Sequence, residues 1–119
     1  MKNGKIVVAL LINDLGIGGS ARHQNSILNN INRDFFEPYI ISLTKKDDAR
    51  SQYSKGTVLF ISDPITIAWE LRGRRTDIMF FQRGGRNEPA HDQIAFYATQ
   101  VNPNISIVEQ NTFSFLDKG

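Results

Sequence analysis

A chain of 119 residues, 40% of them hydrophobic and 22% charged, has the length of one domain and the composition of a folded one. Such a chain buries roughly two thirds of its unfolded surface without staples. The lack of cysteine excludes a disulfide framework and a thiolate metal site, and two histidines, His23 and His91, are too few for a zinc cluster, so no metal or other cofactor is expected. The net charge of +2 conceals a local bias, because Arg72, Arg74, Arg75, Arg83 and Arg86 fall within fifteen residues against the single acid Asp77. No helix presents a row of Lys and Arg with interleaved aromatics, however, so nucleic acid is not an expected partner. The longest apolar run, IVVALLI, is seven residues, too short to cross a bilayer, and MKNGK is not the start of a secretory signal; a cytoplasmic location is expected.

Taken in chain order, Lys5 to Ile12 is apolar on both faces, as a central parallel strand covered by helices on each side must be. The glycine-rich segment after it leads to Ser20, a helix cap, and then to Ala21, Leu28, Ile31 and Phe35 near helical spacing, with Gln24 in the remaining slot and an end around Asn32. Tyr39 to Leu43 is a second strand, the charged TKKDDARSQYSKG a connection, and Thr57 to Ile61 a third strand. Asp63 and Pro64 supply an N-cap and a first helical residue, and Gly73 suits a left-handed stop for ITIAWELRG, with Trp69 expected in the core. Asp77 to Gln82 is a fourth strand. Ala90, Ile94, Tyr97, Ala98 and Val101 form one apolar helical stripe before Pro103, and Ile105 to Glu109 is a fifth strand.

This alternation predicts a single Rossmann-like α/β domain, a three-layer sandwich around a parallel sheet of about five strands. The ten residues QNTFSFLDKG are too few for a covering helix, so one flank of the sheet is expected to be open, either for self-association or for the continuation of a longer polypeptide.

Ligands of such sheets bind beyond the carboxyl ends of the strands, where the segments NDLGIGGS, RGGRNEP and QNTFSF converge. Gly16, Gly18 and Gly19 do not have the spacing of a dinucleotide fingerprint. Bare amides at a helix start suit a phosphate, although a plain tight turn would use glycine too. Arg83 and Arg86 flank Gly84 and Gly85, where guanidinium forks would bind an anionic acceptor or a phosphate; solvated loop charge is the other reading, the stronger one for Arg86. Glu109, the nearest carboxylate, either points into the cleft or makes a salt bridge at the core edge. His23 reads as helix surface, and His91 and its neighbour Asp92 face different directions, so they make no catalytic pair.

NDLGIGGSARHQNSILNNI, TDIMFFQRGGRNEP and ISIVEQNTFSFLD, in that order and spacing, resemble the N-terminal, acceptor-side domain of family 4 glycosyltransferases. These are two-Rossmann-domain (GT-B) enzymes that move a hexosyl or pentosyl group from a nucleotide diphosphate with retention. Gly18, Gly19 and Arg22 match the family's paired-glycine start, and the resemblance covers nearly all of the chain. It implies that Gly18 and Gly19 approach the donor diphosphate or the transferred sugar, with Ser20 offering a hydroxyl. It also implies as partners a nucleotide-sugar donor, a glycan or lipid-linked acceptor, and a C-terminal Rossmann domain without which these residues are an incomplete enzyme. By resemblance only, Arg72, Arg74 and Arg75 would touch the anionic headgroups of a membrane. Many members carry a histidine just after strand five, where this chain has Asn111. An amide hydrogen-bonds a sugar hydroxyl but is no general base, which leaves Glu109 as the nearest carboxylate. The alternative is a complete small flavodoxin-like binding or regulatory module without catalytic activity.

Overall fold

The computed structural model describes residues 1–12, 26–44, 57–83 and 89–111. Asn3 and Gly4, at φ 54° and 78°, turn the chain between Lys2 and Lys5, which exchange two backbone hydrogen bonds of 3.1 and 3.0 Å. This is the primed turn that Asn-Gly favours, and it feeds β1 (Ile6–Ile12). Five parallel strands follow, completed by β2 (Phe36–Ser42), β3 (Thr57–Phe60), β4 (Ile78–Arg83) and β5 (Ser106–Asn111), in the order β3-β2-β1-β4-β5. The molecule is therefore an α/β fold with a Rossmann-like parallel sheet.

β1 is central because nothing in it needs water. Val7, Ala9 and Leu11 enter one apolar cluster, Val8, Leu10 and Ile12 the other, and all six are buried. β2 starts three residues before the expected Tyr39, as Ile6 already pairs with Phe36. Pro38 is tolerated inside it because pairing with β3 begins only at Tyr39, so the proline sits where β2 still has an open side.

Residues 26–30 are helical (α1) and seat fully buried Leu28 in the second cluster, with Ile27 and Ile31 beside it. Phe35, expected on the same helical stripe, falls in the turn before β2 and is 63% exposed. The opposite face of the sheet carries α2 (Pro64–Gly73) and α3 (Pro89–Val101), whose Ile67, Leu71, Ile94 and Ala98 complete the first cluster. One helix layer on each face makes the three-layer sandwich. On the α1 side of the β4 and β5 pair, Phe80 faces its register partner Val108, which remains 41% exposed.

Three local expectations are corrected. Trp69 is not a core residue but 55% exposed, because the buried face of α2 consists of Ile67, Ala68 and Leu71. Gly73 does not stop that helix; the backbone stays helical through it and turns left-handed at Arg75, φ 55°. In α3 the first buried position is His91, while Ala90 is exposed.

Candidate functional site

Strand order reverses between β1 and β4, since β1 leads outward to β2 and β3 while β4 leads the other way to β5. Helices on the two sides of such a reversal lie on opposite faces, so a crevice opens beyond the carboxyl ends of the two strands. Those ends are Ile12 and Arg83, and the glycine-rich segments read from the sequence begin directly after them.

The register brings distant candidates together. Arg83 and Asn111 are Cα partners on the last rung between β4 and β5, preceded by the rungs Gln82 to Gln110 and Phe81 to Glu109. Neighbouring strands lie about 4.8 Å apart, so the guanidinium-bearing and the amide-bearing residue share one corner of the rim. Glu109 stands two rungs below them, exposed and engaged in an interaction of its own. Gly18, Gly19, Ser20, Arg22 and Arg86 lie outside the described residues.

His91 is a residue whose position sequence reasoning missed. It is 2% exposed, and its ring meets Phe81 edge to face with centroids 5.0 Å apart. Phe81 is also the Cα partner of Glu109, so the His91 ring packs on the rung two residues before the Arg83 and Asn111 pair. The signal was present: His91, Ile94, Ala98 and Val101 lie at i, i+3, i+7 and i+10, an equally good helical stripe to the one that starts at Ala90.

Two other polar groups described at this pole, Asp63 and Ser42, are already committed. Asp63 caps α2, its Oδ2 accepting from the Thr66 N–H at 2.9 Å and the Thr66 hydroxyl at 2.7 Å, and these two bonds, the hydroxyl's first, hold its carboxyl below the usual range. That helix start thus carries its own anion. The hydroxyl of fully buried Ser42 donates to the Thr44 carbonyl at 2.8 Å. The strand ends thus bring Arg83 and Asn111 to one rung at the backbone, with Glu109 on β5 and His91 on α3 near the same end of the sheet. Among the described residues no group of three or more His, Asp or Glu stands close enough to hold a metal ion, and no helix is long and apolar enough to cross a membrane. Comparison of the chain with protein-family models, with curated proteins and with solved structures finds no match.

Proposed function

We propose that the carboxyl-end rim of this sheet is the acceptor-side wall of a retaining GT-B glycosyltransferase, which moves a sugar from a nucleotide-sugar donor to a hydroxyl of a glycan or lipid-linked acceptor. The observation that supports this best is the reversal of strand order between β1 and β4, two strands that run straight into GIGGS and RGGR. In this reading the crevice has a second wall, a further Rossmann-type domain that grips the nucleotide. Catalysis comes from holding the donor's anomeric carbon beside an acceptor hydroxyl while fixed donors meet the charge on the departing diphosphate. Gly18, Gly19 and Ser20 bring bare amides and a hydroxyl to the donor side. Arg83 binds an anionic group of the acceptor or donor, Asn111 orients a sugar hydroxyl, and Glu109 is the nearest group able to take its proton. Arg22 and Arg86 add positive charge around the entrance.

The test is an amide-resolved NMR titration of this chain with nucleotide sugars and with simple glycosides. Weak binding is expected, in the millimolar range, with shifts centred on Ile12, Arg83 and Asn111. Gly19→Val adds bulk where the phosphate would approach and should abolish the response to nucleotide sugars while the remaining spectrum stays that of the folded chain. Shifts confined to the other end of the strands would overturn the assignment. Submicromolar nucleotide binding by these residues alone would instead indicate a self-sufficient binding module.

A further inference from the structure

The opposite, amino-terminal pole of the sheet carries an arginine where glycine would be the easier choice. α2 finishes in a Schellman motif, with the Arg75 N–H donating to the Arg72 carbonyl and the Thr76 N–H to the Leu71 carbonyl, both at 3.0 Å. The left-handed residue of that motif is usually glycine, which has no Cβ to strain, yet here Arg75 occupies it at φ 55°. Gly73 lies two residues too early and is spent inside the helix. A strained backbone kept at a particular side chain asks for a use of that side chain.

The use lies next to it. Arg75 and Arg72, both exposed, line an open groove of about 300 Å³ together with Thr76, Asp77, Asn102 and Asn104. The Arg72 guanidinium lies over the Trp69 ring, 5.5 Å from its centroid, which fixes one fork at the groove's margin. The carboxylate in this lining is already engaged. Both oxygens of Asp77 are bonded, Oδ1 to the Met1 ammonium at 2.9 Å and Oδ2 to the Val7 N–H at 2.8 Å. The last carbonyls of α2, on Glu70, Leu71 and Arg72, accept the capping N–H groups of Arg74, Thr76 and Arg75, so the helix end repels an anion less than a bare one would. The Asn102 amide covers the Thr76 carbonyl at 3.2 Å.

We propose that this groove is a second ligand site, in which the guanidinium forks of Arg72 and Arg75 hold a phosphate or diphosphate group, either free in solution or carried on a lipid. It stands independently of the rim and its sugar-transfer reading. Trp69, the chain's single tryptophan, is a built-in reporter because an anion that draws Arg72 away from the indole changes its fluorescence.

Inorganic pyrophosphate is titrated into the purified chain and followed by Trp69 emission and by calorimetry. Saturable binding is expected, weakened at least about tenfold by Arg72→Gln and by Arg75→Gly. Arg75→Gly is the decisive variant, because removal of left-handed strain keeps its Tm at the wild-type value or raises it by up to about 4 °C. Gly19→Val, the variant that tests the sugar-transfer reading, leaves this response intact, so failure of that reading and failure here are read separately. A parallel arm sediments the chain with phosphatidylcholine vesicles with and without phosphatidic acid. Retention that requires phosphatidic acid and is lost in Arg75→Gly assigns the phosphate to a lipid headgroup, whereas pyrophosphate binding without retention assigns a soluble one. No saturable binding in either arm, an Arg75→Gly variant that binds as the wild type does, or one that melts clearly lower would each overturn the proposal.

Discussion

Tyr39 shows how much a single buried hydroxyl decides. Its ring is 4% exposed and lies under the Arg74 guanidinium, 5.1 Å from the ring centroid, and its hydroxyl is 2.6 Å from the Thr76 hydroxyl, itself on a 3% exposed residue. Burial pushes the phenol up to about 12, against the opposing pull of the Thr76 bond and of Arg74, both of which favour the phenolate. The folded chain therefore keeps a proton that the unfolded chain loses near its ordinary value of about 10. Stability from this group is fully present below about pH 10 and is lost as pH rises toward about 12, a loss on the order of 2–3 kcal/mol. Tyr39→Phe should flatten that alkaline decline while costing about 1 kcal/mol at neutral pH, where the Thr76 hydroxyl loses its partner. Urea melts of both proteins at about pH 8 and about pH 11 check this. An equal alkaline loss in the two would mean that another group carries it.

At the scale of one element, α2 separates what periodicity can and cannot reveal. Its start was legible, since Asp63 and Pro64 are start signals with direct physical causes and the cap bonds form as expected. Its buried face was not. Ile65, Ile67, Ala68, Trp69 and Leu71 put apolar side chains around most of the circumference, and only packing against the sheet selects Ile67, Ala68 and Leu71. The stop was misplaced for a related reason. A glycine permits a left-handed turn without requiring one, and the Arg74 N–H to Glu70 bond, reinforced by the Arg74 and Glu70 ion pair at 2.8 Å, carries the helical path past Gly73. Three substitutions test the assignment of faces in urea. Leu71→Ala should cost about 2–5 kcal/mol, Asp63→Ala about 1 kcal/mol and Trp69→Ala less than about 1 kcal/mol. A Trp69→Ala loss as large as that of Leu71→Ala would put the indole back in the core.

For the molecule as a whole, alternation of strands and helices made the parallel sheet legible, and the strand ends placed Arg83 and Asn111 at one pole. Their meeting on a single rung was not legible, because register between β4 and β5 is set by backbone bonds between segments 28 residues apart rather than by any local pattern. Nor could His91 be assigned to the Phe81 ring before the packing angle of α3 was known. The same sheet divides the interior into two apolar clusters, one beneath α1 and one beneath α2 and α3, with β1 contributing alternate side chains to each. Substitutions on opposite sides should therefore act independently. Leu28→Ala, in the α1 layer, combined with Ile67→Val, in the α2 layer, should give a loss equal to the sum of the single losses within about 0.5 kcal/mol. Leu71→Ala combined with Ile94→Val removes volume from one shared cluster and should depart from additivity by more than that, because a cavity opened by the first change is relaxed or enlarged by the second. Equilibrium urea unfolding of the two sets of single and double variants measures both couplings. Strong coupling across the sheet would mean that β1 shifts as a rigid bar when either layer is loosened, and the two clusters would then have to be treated as one core.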